Sequence, residues 1–277
     1  MLRKNKEQAS YWRLFAMLPV IIIGFISIIG TGGGGGGGGD GDTRFEEKET
    51  FSFEITVGNH DQFKLLGVNG EITITGESGA NSVMIIAIKR VQSSISAQDA
   101  KDHLQELEVD WESVENEVSV ETIQPDDSAE RNYSVDYTIT LPKYFKIQVN
   151  SINAIVTLDS IENDVTVSIA NGEVTLRDIY GSALVTLANG TIDGEVVLPL
   201  QGTIDLSVVT GGDIHLAIPT STSATFSAST LFGSINVSSS LVVQDEVKTS
   251  TSLSGTLGDG DGEISLGTMG DISVSGF

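Results

Sequence analysis

Cysteine is absent from this chain of 277 residues. No disulfide framework and no thiolate metal site can form, so the fold must be held by packing alone. Histidine is nearly as scarce. His60, His103 and His215 fall in three different segments, and no two stand at the spacing of a metal pair. Positive charge also runs out. Residues 1–13 hold Arg3, Lys4, Lys6 and Arg13 against Glu7, a net of +3, while the rest carries 11 positive and 37 negative side chains, a net of −26. A body that acidic repels nucleic acid and anionic lipid, which makes both poor partners, and it keeps an exported protein soluble. Nucleophile-elbow and phosphate-loop motifs (Gly-x-Ser-x-Gly, Gly-x-x-x-x-Gly-Lys) are missing too.

The N-terminus has the layout of an export signal. The basic head is followed by Leu14 to Gly30, 17 residues without a charge. That length exceeds an ordinary signal core and falls just short of the roughly 20 residues that span a bilayer. Residues 1–30 therefore read as a signal peptide or signal anchor, a hydrophobic helix with its positive end held inside. Gly32 to Gly39 and Asp40-Gly41-Asp42 follow. Side-chain-free glycine builds no core, so 31–44 reads as a flexible linker. These features place the body outside the cytoplasm, periplasmic or at the cell surface, tethered to the membrane if the segment stays uncleaved.

From Phe45 onward the pattern is β. Phe51, Phe53, Ile55 and Val57 alternate with polar residues, and Val83 to Val91, Glu117 to Ile123 and Tyr133 to Leu141 continue in this manner. One helical insertion is predicted over 96–107. There Ala97, Ala100, Leu104 and Leu107 recur at helical spacing, and Ser96 with Asp99 forms an Asp variant of the capping box. Trp111 reads as a core residue.

The repeat beyond Ser151 decides the fold. Asn153, Asn171 and Asn189 are spaced by 18 and 18, as are Val156, Val174 and Ile192. Val165, Val167 and Ile169 stand 18 before Ala183, Val185 and Leu187. Looser units begin at Gly212, Gly233, Gly262 and Gly270. A fixed short period means units that complete one another's core by stacking. The alternation turns Val, Ile and Leu inward and Thr, Ser, Asp and Glu outward. Asn-Gly at a constant phase suits a corner, and stacked Asn side chains can bond along the ladder. The fold expected is all-β: a single-stranded β-solenoid (β-helix) over 45–277, with coils of about 18–22 residues and one short helical insertion. An antiparallel sandwich also has short alternating strands, but it does not require in-phase residues every 18 positions.

Val135-Asp136-Tyr137-Thr138-Ile139-Thr140-Leu141-Pro142, then Val149 to Leu158 and the Asn-Gly coils, resemble the bacterial adhesin domains of the head-GIN type, an auto-transporter-like family largely of unknown function. The likeness runs from about Phe51 to Phe277, with Ser96 to Glu108 similar to that family's usual insertion. It implies a solenoid at the cell envelope, sometimes near envelope-stress systems, without established catalysis. Two residues depart from the pattern. Ala154 stands where the first coil's Gly belongs, and Thr31 where a lipoprotein leader has its Cys.

Candidate chemistry is thin. A β-helix glycan lyase or hydrolase, the rival reading, needs paired carboxylates or a carboxylate with a base. The candidates are Asp159, Glu173, Arg177 and Asp178, with Asp193 and Asp205 placed to flank a groove. Arg177 and Lys248 are the only cations after Asn150, which weakens a lyase. His215 reads as a solvated strand residue. In Asp259-Gly260-Asp261-Gly262-Glu263, Asp259, Asp261 and Glu263 are weak calcium candidates, against a plain solvated turn. The expectation is a binding or scaffolding module without catalytic residues or cofactor, with an envelope-stress sensor as a further alternative that the family resemblance alone implies. The module would meet glycan or another envelope component through ladders of Ser, Thr and Asn, with Thr157 and Thr175 in one row and Thr166 in another on one face.

Overall fold

The computed structural model describes residues 44–277 apart from Asp127 and Ala129. The hydrophobic helix expected at 1–30 and all but the last residue of the linker lie outside the described residues. What is described is all-β with one short helix. In chain order come β1 (Phe45–Thr56), β2 (Gln62–Leu66), β3 (Asn69–Glu77) and β4 (Ser82–Ser93), then α1 (Ala97–Leu104). Next are β5 (Glu108–Val114), β6 (Glu117–Ile123) and β7 (Arg131–Pro142), followed by three long strands, β8 (Lys146–Ile161), β9 (Val165–Ile179) and β10 (Ala183–Val196). The last are β11 (Thr203–Val208), β12 (Ile214–Ile218), β13 (Ala224–Thr230), β14 (Ile235–Val237), β15 (Val243–Lys248), β16 (Ser252–Leu257), β17 (Gly262–Thr268) and β18 (Ile272–Gly276).

The long strands explain the architecture. Each bends at its Asn corner, so its first half joins one sheet and its second half another. β8 lies parallel to β9 through Ile147↔Val165 before the corner and Val156↔Val174 after it. β9 and β10 repeat the register at Val165↔Ala183 and Val174↔Ile192. The result is a solenoid-like stack of coils with two walls. Wall one runs β5-β6-β2-β8-β9-β10-β11-β17-β13-β16-β15. Wall two runs β1-β4-β7-β3-β8-β9-β10-β12-β18-β14. Apolar side chains from both walls meet between them: Val149, Val167 and Val185 from one, Val156, Val174 and Ile192 from the other, all buried. Each side chain so buried contributes about 1.5–3 kcal/mol relative to exposure.

The even winding of about 18–22 residues per coil holds only in the middle. Neighbouring strands are 18 apart at Asn153 and Asn171 and 22 apart at Ala188 and Thr210. Asn69 meets Asn153 at a separation of 84, and His215 meets Ser273 at 58. The first and last coils in sequence, β2–β3 and β17–β18, are both interior to the stack. β2–β3 sits between β6–β7 and β8, and β17–β18 between β11–β12 and β13–β14. The units at Gly262 and Gly270 are accordingly not two coils but the two walls of one. The antiparallel strands β1, β4, β5, β15 and β16 close the ends, where an open parallel edge would expose unpaired backbone.

Asn-Gly corners form because the coils approach closely. Gly172 and Gly190 take φ of 148° and 140°. A Cβ on Gly172 would stand 1.7 Å from the carbonyl oxygen of Ala154. Ala154 itself does not take a positive φ, so its methyl group is accommodated. Along the same corner Asn153 Nδ2 donates to Asn69 Oδ1 at 2.7 Å, and Asn171 Nδ2 to Asn153 Oδ1 at 3.0 Å. The polar ladder read from the repeat is therefore made between Asn153 and Asn171, and it extends to Asn69.

The insertion forms as α1. Ser96 caps it by accepting the Asp99 N–H at 3.1 Å, which is one half of a capping box. The Asp99 carboxylate turns away from the cap and accepts from Arg131 Nε at 2.8 Å, Arg131 Nη2 at 2.7 Å and Ser93 Oγ at 2.6 Å. Ala100 and Leu104 bury the helix against the stack. Trp111 is half-buried and stacks on Phe53, centroids 5.2 Å apart and planes at 24°.

Candidate functional site: the outer face of wall two

Because inward and outward residues alternate, strand register lays the outward residues in straight rows. One row on wall two passes through Thr73, Thr157, Thr175, Asp193, His215, Ser273 and Asn236. A second holds Asp159 opposite Arg177. Where β10 meets β12 the face dips into a shallow concavity of about 380 Å³, lined by Arg177, Asp193, Glu195, His215 and Ser273 among others. On the inward side of the same place, Leu158, Leu176 and Leu216 share a row in which β10 carries Gly194.

The structure thus brings Arg177 and Asp193 together with His215. Sequence reasoning missed Glu195 and Ser273 as their companions. A signal for Ser273 existed, since Gly270-Asp271-Ile272-Ser273 repeats the phase of Gly212-Asp213-Ile214-His215. His215 Nδ1 and Ser273 Oγ lie 2.6 Å apart. Beside them the Ser234 backbone N–H at 2.7 Å and its hydroxyl at 2.9 Å hold the Asp271 carboxyl below the usual range.

Other candidates separate. Asp193 and Asp205 do not flank one groove: Asp193 pairs with His215 on wall two and Asp205 with Leu184 on wall one. Their outer faces look in opposite directions. Thr166 likewise belongs to wall one, opposite Gln148 and Leu184, so its row is not on the face of Thr157 and Thr175. Asp178 sits at a bulge with φ 50°, and Glu173 is exposed one row closer to the corner. Asp159 accepts from the neighbouring Ser160 hydroxyl at 2.6 Å.

At Asp259 to Glu263 the turn is organised by a hydroxyl. Ser223 Oγ accepts the N–H groups of Asp259 at 3.0 Å and Asp261 at 3.2 Å, and donates to Asp261 Oδ2 at 2.7 Å. Among the described residues no three His, Cys, Asp or Glu side chains are arranged to hold a metal. Asp259, Asp261 and Glu263 are therefore not gathered as calcium ligands. His60 is buried, with Nδ1 accepting from the Gly58 N–H at 3.3 Å and Nε2 2.9 Å from Ser113 Oγ. His103 lies 2.9 Å from Glu106 and 3.6 Å from Asp99. No helix of the described residues is long and apolar enough to cross a membrane.

Two stacked walls, polar rows outside and a continuous apolar interior define a solenoid-like β domain. The chain belongs to the Toastrack DUF4097 family, which it matches over residues 39–275. Among solved structures it is similar to the "putative cell adhesion protein" of Clostridium sporogenes ATCC 15579, at 14% identity and a TM-score of 0.44, covering 82% of this chain and 100% of that one. It is similar to the "putative adhesin" of Bacteroides fragilis NCTC 9343 at 13% and 0.31, covering 82% and 97%. A "putative adhesin" of Parabacteroides distasonis ATCC 8503 follows at 12% and 0.28, covering 82% and 97%. No curated protein matches the sequence.

Proposed function

We propose that this chain is an envelope-associated binding or scaffolding module that works outside the cytoplasm and carries out no catalysis. Its location rests on the N-terminal basic head and apolar run. The head-GIN, auto-transporter-like character suggested by the sequence belongs to this same proposal. The observation that carries the function is the row from Thr73 to Asn236. A rigid ladder of hydroxyl, carboxylate, imidazole and amide groups, one per strand at about 4.8 Å, offers a repeating ligand repeated hydrogen bonds at little ordering cost. A glycan of the envelope is such a ligand.

The enzymatic alternative meets a physical obstacle at its best candidate. His215 and Ser273 form a base–hydroxyl pair, but they stand on paired strands whose backbone N–H groups are committed to the sheet. Acyl transfer needs free donors aimed at the developing oxyanion. The deciding experiment measures turnover on pectin-like, alginate-like and peptidoglycan substrates, with and without calcium, beside a screen of glycan and peptidoglycan binding. Single changes along the row, such as Thr157→Ala or Thr175→Ala, should weaken binding in small steps, with no product released. Product release abolished by Asp178→Asn or Asp193→Asn alone, in a folded protein, would establish the enzyme instead.

A further inference from the structure

The corner opposite the Asn ladder carries two tyrosines in phase, and we infer that Tyr144 and Tyr180 are the stacking platform for a neutral β-1,4-linked hexopyranose chain. This rests on the binding-module reading and supplies its ligand class and site.

The phase follows from backbone bonds. The Glu162 N–H donates to the Lys143 carbonyl at 2.7 Å, and the Tyr180 N–H to the Ile161 carbonyl at 2.8 Å. Residues 144, 162 and 180 therefore occupy one position in three successive corners, those before β8, β9 and β10. Tyr144 is 47% and Tyr180 49% exposed, large for aromatic residues in a chain with few of them. Both backbones are held firmly. The Tyr144 carbonyl accepts from Asn163 Nδ2 at 2.8 Å, and its ring leans on buried Phe145, centroids 5.3 Å apart. Beside Tyr180, a Cβ on Gly181 would fall 2.3 Å from the Asn163 carbonyl oxygen, so that corner is pressed against the coil before it.

Two strand steps of about 4.7–4.9 Å separate the tyrosine positions by about 9.5 Å. A hexopyranose ring linked β-1,4 advances its chain by close to one strand step, and each ring is turned over relative to the last. The same ring face therefore returns at every second residue, at a distance close to that between the tyrosines. The apolar C–H face of a sugar packs on an aromatic ring, and rigid aromatic residues supply such area at low entropic cost. Between the platforms Glu162, 3.6 Å from Lys143 Nζ, offers a carboxylate to ring hydroxyls. Arg177, exposed on the adjoining wall-two face, offers donors. The formal charge of −23 opposes an anionic uronate chain, which leaves neutral glucose-type or N-acetylglucosamine-type polymers.

The test titrates the full chain with β-1,4-linked glucose and N-acetylglucosamine oligomers of two to six rings, with α-1,4-linked glucose oligomers and polygalacturonate as comparison arms. Affinity should climb steeply once an oligomer is long enough to cover both tyrosines. Tyr144→Ala or Tyr180→Ala should each cost about tenfold or more, as aromatic anchors do, with melting temperature unchanged. Tyr180→Phe should stay within about threefold, because its ring is kept. Equal binding by the double alanine variant would overturn the site while leaving the module reading intact. A preference for α-linked or anionic chains would overturn the ligand class. Failure of the folded wild type to bind any of these oligomers would overturn both the site and the ligand class, and leave the module reading to its own binding screen.

Discussion

Gly190 lies directly over the carbonyl of Gly172, so close that a Cβ at Gly190 would stand 1.7 Å from that oxygen, at a φ of 140°. Four residues on, Gly194 faces inward, where an added Cβ would meet Leu216 Cδ1 at 3.5 Å and Leu206 Cδ1 at 3.9 Å, ordinary contact distances. The same residue type in one strand answers two different needs. Gly190→Ala should cost at least about 2 kcal/mol through strain and clash. Gly194→Ala should be neutral or stabilise by about 0.4–1 kcal/mol, by restricting the unfolded chain. Chemical denaturation of the two variants checks the contrast.

Val174 is stacked between Val156 and Ile192, fully buried. Val174→Asp should cost on the order of several kcal/mol, because an unpaired carboxylate cannot be solvated there. Thr175→Asp, on the outer face, should stay within about 1 kcal/mol. Equal losses of melting temperature would contradict the assigned alternation.

Hydrogen bonds from Arg131, then Ser93, hold the Asp99 carboxyl well below the usual carboxylate range. A depressed folded pKa stabilises the protein above the unfolded value, and that stabilisation is lost as pH falls through the unfolded value toward the folded one. Asp99→Asn should therefore lower the melting temperature near pH 7, and the gap to wild type should narrow on acidification below about pH 4. A gap independent of pH would rule out the carboxylate as its source.

Burial pushes the Tyr137 hydroxyl up to about 12, opposed by its 2.7 Å hydrogen bond with Thr122. Unfolded tyrosine titrates near about 10, so the unfolded chain loses this proton first and stability drains as pH rises from about 10 to 12. Melting curves of Tyr137→Phe across that window should fall less steeply than those of wild type.

A reporter active only after export, fused to the C-terminus, should be active if the basic head of residues 1–13 stays inside and the acidic body is carried across. Activity of a cytoplasm-only reporter in its place would refute the proposed location.

Much of the fold was legible because it is written locally. Alternation in Val165–Ile169 and Val174–Leu176 names the inward residues, and the 18-residue phase of Asn153, Asn171 and Asn189 names the corner and its ladder. Those signals depend only on strand pleat and on glycine's access to positive φ, which each segment carries by itself. The candidate site was legible only in part. Arg177, Asp193 and His215 stood out as charged or titratable, but Ser273 joins them from 58 residues away. Tyr144 and Tyr180 become one site only when their corners are stacked.

Tertiary structure alone decided which coil lies on which. Gly262 and Gly270 begin units that look alike in sequence, yet β17 pairs with β11 on wall one and β18 with β12 on wall two. Asp193 and Asp205 look like neighbours and face opposite ways. The physical reason is that an exposed apolar end of the stack accepts any coil with the right alternation. The choice falls to whichever arrangement buries the most apolar surface and leaves the fewest open edges. That sum runs over strands 58 and 84 residues apart, and no local period records it.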